Sequence, residues 1–164
     1  FLRELIRDLK RRLGDRPFTI VPLLVGGFHA LLDEGVPPTE VPELETLVAA
    51  LREAEQRHGG RTVYVAAVDL SHVGPRFGDP APDERILGEV GALDRAALEA
   101  AARGDAAGWF EAIARHQDST RVCGWGATYV ALRAAAPGEG RLLRYEQSNE
   151  DDGSMVSIAA MVWP

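Results

Sequence analysis

Apolar residues recur at Leu2, Leu5, Ile6, Leu9 and Leu13, the i, i+3, i+4 spacing of one helix face, and Gly14 follows as a stop. This predicts an amphipathic helix over 1–14. The run Phe18-Thr19-Ile20-Val21-Pro22-Leu23-Leu24-Val25 reads as a strand, with Pro22 favouring an edge or a strand end and Gly26-Gly27 closing it. Residues 33–42 are rich in Pro, Gly and acids and read as loop. Helical periodicity returns over 42–58, with Leu44, Leu47, Val48 and Leu51 on one face. The unbroken apolar run from Val63 to Val68 predicts a buried strand of a parallel sheet over 61–69. A Pro- and Gly-bearing loop follows, in which Asp79, Asp83 and Glu84 read as solvated turn and helix-start acids. Helices are expected over 83–103, where alanines dominate from Ala96 to Ala102, over 105–116, and over 123–136 before Pro137-Gly138. Strands over 142–146 and 155–162 flank the polar turn 148–153. Strands alternating with helices and a closing β pair predict an α/β fold, a mixed sheet flanked by helices, in one domain spanning 1–164.

The 164 residues suffice for one hydrophobic core, and 46 % hydrophobic with 26 % charged residues is the balance of a soluble globular chain. A formal charge of −7, with basic residues scattered apart from Lys10-Arg11-Arg12, argues against nucleic-acid binding, which needs clustered Lys and Arg. No apolar run approaches the roughly 20 residues of a membrane span, and no signal peptide is visible. One cysteine excludes an internal disulfide and suits a reducing cytoplasm. The chain opens at Phe1, without methionine and already in a helix pattern, which leads to the expectation of a preceding N-terminal portion.

Candidate chemistry concentrates where the apolar run 63–68 meets Asp69-Leu70-Ser71-His72-Val73-Gly74-Pro75. In open α/β sheets ligands gather beyond the carboxyl ends of strands. Asp69 and His72 there fit a metal-ligand pair, or an acid–base pair in which the carboxylate orients the imidazole; the plainer alternative is a turn or helix cap. Ser71 and His72 point opposite ways in extended chain, and no G-x-S-x-G elbow exists, so a Ser-His-Asp hydrolase is disfavoured. Cys123, just before a helix-like run, would gain thiolate character from a helix N-terminus, with Gly124 and Gly126 leaving room for a ligand; the alternative is a small buried apolar residue. His29 follows a strand end and is a weaker cleft candidate. His58 and His116 read as helix-end residues, and Trp125 stands open between pocket wall and core.

The segment Asp69-Leu70-Ser71-His72-Val73-Gly74-Pro75-Arg76-Phe77 resembles the D-(F/L)-(S/C)-H-x-G-x-R-F stretch of the Memo family, the mediator of ErbB2-driven cell motility in animals and AmmeMemoRadiSam system protein B in bacteria and archaea. Three further segments agree in order: 18–26 with F-T-I-x-P-x-L-V-G, Val122-Cys123-Gly124 with a C-G segment before a helix, and Tyr145 to Ser148 with the closing strand. Ala127-Thr128 stand where the family usually has a proline. Nothing here matches the family's histidine-bearing N-terminal region with its H-A-G-Y-like segment, and Phe1-Leu2 resembles the end of an L-P-F-L segment lying well inside the family sequence.

The resemblance implies a fold similar to that of class III extradiol dioxygenases, which bind Fe(II) through two histidines and a carboxylate. It implies a metal-binding or redox cleft holding iron or copper, onto which Asp69, His72 and Cys123 carry over. His72 and Cys123 would be metal ligands or redox groups, and Asp69 a ligand or an orienting group. Two alternatives stand beside it. One is an Fe(II)-dependent ring-cleavage dioxygenase. The other is a non-catalytic module holding a small molecule or an acidic peptide near Arg76 and Arg121.

Overall fold

The computed structural model describes residues 2–26 and 28–164. Phe1, where the first helical pattern opens, and Gly27, second of the strand-ending glycines, lie outside them. Helix α1 (Leu2–Leu13) follows the predicted periodicity and leaves most of its residues exposed. A short helix α2 (His29–Glu34) precedes the loop, stopped by Gly35 at φ 65°. Helix α3 (Pro42–His58) starts with a proline in its first turn, whose missing N–H costs nothing there, and buries Leu44 and Val48. Helix α4 (Glu84–Ala102) is capped by Asp83, whose carboxylate accepts the Ile86 N–H at 2.8 Å. Asp105 caps α5 (Ala106–Ala114) in the same way through the Gly108 N–H at 2.8 Å. Helix α6 (Trp125–Ala135) completes the helical layer.

The core forms where α4, α5, α6 and α3 meet: Leu44, Leu98, Ala101, Trp109, Phe110, Ile113, Trp125, Tyr129 and Val130 are buried in one cluster. Trp125 is therefore core rather than pocket wall. Against this layer lies a three-stranded antiparallel sheet in the order β1-β3-β2, formed by β1 (His72–Val73), β2 (Arg141–Asn149) and β3 (Met155–Val162). The β2–β3 hairpin pairs Tyr145 with Ala159 and Ser148 with Val156, and β1 adds His72 opposite Val156. The molecule is α/β, with a small sheet flanked by helices, as the alternation of patterns implies.

Two expected strands differ. Residues 18–25 and 61–69 carry no strand pairing, and most of their apolar side chains are exposed, Leu24 at 101 % and Val63 at 70 %, while Val25 and Val68 are half-buried. A buried parallel strand needs hydrogen-bonding neighbours and a covering layer on both faces, and among the described residues no strand pairs with these runs. Only the stretch after Asp69 is held, by Leu70 N–H to Ser157 O and Ser157 N–H to Ser71 O, both 2.9 Å, which dock it on β3 in antiparallel fashion.

Candidate functional site

Docking residues 70–73 on β3 sends successive side chains to opposite sides. Ser71 turns inward and is fully buried, while His72 faces the other way; Asp69, just before the docked stretch, stands with its Oδ2 3.9 Å from His72 Nε2. The disfavoured hydrolase arrangement is thereby absent: the Ser71 hydroxyl donates to Asp94, not toward the imidazole. Asp69 caps no helix; the segment after it runs into the sheet.

The loop 116–124 brings Cys123 to the same place. It contains three non-glycine residues in the left-handed region, Gln117 (φ 53°), Asp118 (φ 47°) and Arg121 (φ 54°), a concentration of strained backbone that only surrounding contacts sustain. Those contacts are present. The Val122 N–H donates to Asp118 at 2.7 Å, and the Arg121 guanidinium makes a two-pronged pair with Asp79 at 2.6 and 2.9 Å. The Arg121 hydrogen bonds hold the Asp79 carboxyl below its ordinary range, whereas burial pushes that of Asp118 upward.

His72 is oriented by both segments at once. Its Nδ1 lies 2.9 Å from Leu70 O and 3.0 Å from Arg121 O. Two carbonyl acceptors require Nδ1 to carry a proton, so in the neutral ring the lone pair is on Nε2, the nitrogen on the side of Asp69. The edge of Phe77 closes one side of the imidazole, with ring centroids 5.0 Å apart. A carboxylate oxygen of Asp69, a ring nitrogen of His72 and Cys123 Sγ all lie within 4.8 Å of one another. In a tetrahedral metal site the donors stand roughly 3.4–3.6 Å apart, so an ion would need to draw these three inward by about an ångström or less. Carboxylate, imidazole and thiol are all metal donors, and the residues fit such a group.

Two sequence-based expectations for Cys123 are corrected. Helix α6 begins at Trp125 with Gly124 as its cap, so the thiol lies outside the first turn. Cys123 is an exposed residue, not a buried apolar one, yet partial desolvation of its thiol, with the nearby Asp69 and Asp118 carboxylates adding to it, raises the thiol pKa instead of lowering it. The thiol points to Asp69 O at 3.8 Å. Nor do the glycines leave a void. A Cβ on Gly124 would meet Asp69 O and Val68 Cγ2, each at 2.5 Å, and one on Gly126 would touch the Phe28 ring at 3.5 Å. Gly124 is there so that 122–124 can lie directly on 68–69.

The remaining candidates lie elsewhere. His29 faces Asp118 at 3.6 Å, outside the three-donor group. His58 ends α3, as its sequence context implies. His116 is half-buried beside Ser119, and burial lowers its pKa. Arg76 is taken up by Asp152 at 3.0 Å and Glu150 at 3.4 Å, and Arg121 by Asp79, so neither is a free anion anchor.

Sequence reasoning missed the group beneath the site. Asp94, 2 % exposed in α4, accepts hydrogen bonds from Ser71 Oγ (2.6 Å), Ser157 Oγ (2.6 Å) and Tyr145 Oη (2.7 Å). A signal existed: Asp94 sits on the stripe Val90, Ala97, Leu98, Ala101 that α4 buries, and an acid on such a stripe is unusual. Burial, and then the Asp94 carboxylate, push the Tyr145 pKa to about 12. The unfolded chain ionises this phenol near pH 10, so the folded state binds the proton longer and loses stability as pH rises from 10 towards 12. A drop of about 2 kcal/mol across that window is expected in chemical denaturation, absent in Tyr145→Phe. A Tyr145→Phe curve that falls as steeply contradicts it.

The model of the family described as Memo-like protein matches residues 9–162. A MEMO1 family protein of Methanopyrus kandleri is 32 % identical over 108 residues, 62 % of this chain and 34 % of that relative, so the chain spans about a third of its length.

Proposed function

The chain belongs to the Memo-like family, and from that premise we propose that Asp69, His72 and Cys123 bind a first-row transition metal, iron or copper, in a redox role. The observation that carries this reading is the convergence of three chemically distinct donors within 4.8 Å, from segments more than fifty residues apart. His72 presents Nε2 because Nδ1–H is spent on two carbonyls. Cys123 contributes a soft sulfur, which disfavours magnesium and calcium. Asp69 contributes charge that offsets the cation. Three protein donors leave a further coordination position for substrate, solvent or another residue. Bound iron or copper would supply one-electron chemistry at that position.

Ring cleavage by an extradiol mechanism calls for two imidazoles and one carboxylate on Fe(II). Here one imidazole is joined by a thiol, which favours the redox role. Engagement of Arg76 and Arg121 by carboxylates speaks against an acidic peptide as the ligand. A free thiol among the donors suits a reducing compartment such as the cytoplasm. No helix among the described residues is long and apolar enough to cross a membrane.

Metal content by mass spectrometry, after loading with Fe(II) or Cu(I), tests the proposal. The wild type is expected to hold about one ion per chain, and His72→Ala and Cys123→Ala to lose it. Retention by either variant, or none in the wild type, overturns it.

A further inference from the structure

We propose that Asp94 is a positioning residue for this site, acting through Ser71 and Thr120 to hold the His72 and Cys123 segments in register. The inference rests on the metal-site reading above and assigns a residue outside the donor set.

The proton directions in the buried network are fixed by counting. Ser71 has one hydroxyl proton, donated to Asp94 Oδ1 at 2.6 Å. The Thr120 hydroxyl, 2.8 Å from Ser71 Oγ, must then donate to Ser71. On the other carboxylate oxygen, Ser157 donates at 2.6 Å while accepting the Ser71 N–H at 2.9 Å. Tyr145 donates there at 2.7 Å while accepting from Gln147 Nε2 at 3.1 Å. Ser71, Ser157, Thr120 and Asp94 are all buried. Every hydroxyl proton thus points down the chain towards Asp94, and only an acceptor on both oxygens satisfies them.

The network matters because of what its members adjoin. Ser71 precedes His72 in the chain. Thr120 precedes Arg121, whose carbonyl takes the His72 Nδ1 proton, and Thr120's own carbonyl accepts the His72 N–H at 2.6 Å. One carboxylate on α4 therefore ties together the two segments that must meet for imidazole and thiol to converge. Tyr145 anchors the other side of the carboxylate to the hairpin and touches neither donor-bearing segment through its side chain, whereas Ser157 also accepts the Ser71 N–H. Replacing Asp94 by Asn keeps the shape but puts an N–H₂ where a hydroxyl proton already points, so one donor must turn away and the chain of bonds loosens.

The test uses Co(II) as probe in the full chain, reading the thiolate-to-Co(II) charge-transfer band, the dissociation constant and far-UV circular dichroism. Asp94→Asn and Thr120→Val are expected to weaken Co(II) binding by about tenfold and to shift the band at saturating metal. Tyr145→Phe removes a comparable buried hydrogen bond on the far oxygen and is expected to lower the melting temperature while leaving band and affinity unchanged. A folded Asp94→Asn with the wild-type band and affinity overturns the inference. So does Tyr145→Phe shifting the band as far as Thr120→Val, which would mean general loosening. Should Asp94→Asn not fold, the contrast between Thr120→Val and Tyr145→Phe decides. A wild type that gives no thiolate band overturns the metal reading itself and the positioning role with it, an outcome distinct from a bright wild type with indifferent variants.

Discussion

Gly124→Ala is expected to lose most metal binding, by about a hundredfold, with no change to any donor. Gly124 has φ −85°, an angle any residue adopts, so backbone strain is not the cause. The cause is space: the added carbon would stand 2.5 Å from Asp69 O and 2.5 Å from Val68 Cγ2. Val68 can rotate, but a backbone carbonyl next to a site donor cannot yield without moving the donor. The 122–124 segment must then lift off 68–69, carrying Cys123 Sγ away from Asp69 and His72. Overpacking of this kind costs about 1–3 kcal/mol in stability, so the variant should remain folded while binding fails. Co(II) titration beside a thermal melt checks this; wild-type affinity in Gly124→Ala would show that the close approach is not needed for the site.

The largest stability loss is expected from Trp109→Ala. Trp109 is 1 % exposed in α5, and its indole N–H donates to Trp125 O at 2.9 Å. Removing the ring leaves a cavity costing about 3–5 kcal/mol, which in a domain of this size lowers the melting temperature by about 10 °C. The loss reaches the site because Trp125 opens α6 two residues after Cys123, and the Phe110 ring packs on it at 5.7 Å. Trp109→Phe separates the two contributions. It keeps most of the volume, forfeits the hydrogen bond, and should cost about 1–2 kcal/mol. Calorimetry of the three proteins checks this, and a Trp109→Ala melt within two or so degrees of wild type would remove Trp109 from the core's main supports.

Part of the candidate site is legible in the chain. Asp69 and His72, three apart after an apolar run, stand out by type and spacing, and Cys123 by being alone. That these three converge is not legible, because nothing in the sequence states that 122–124 lies on 68–69; the glycine permitting it looks like any other. Asp94 was hidden among alanines, although its place on the buried stripe of α4 marked it.

The sequence by itself determined the longer helices, nearly to the residue: α3 is as expected, and α4, α5 and α6 differ by a residue or two at their ends, whereas the short α2 was not foreseen and its last two residues lie in the expected loop. It also determined the closing hairpin. These elements close their hydrogen bonds within a few residues or across one turn, so caps, stops and periodicity are local information. Only the tertiary structure decided that 18–25 and 61–69 stay unpaired, which way Ser71 and His72 face, and that the Cys123 thiol is raised rather than activated. Strand pairing, burial and donor convergence depend on groups as far apart as Asp69 and Cys123. An apolar run carries no record of which distant segment will cover it.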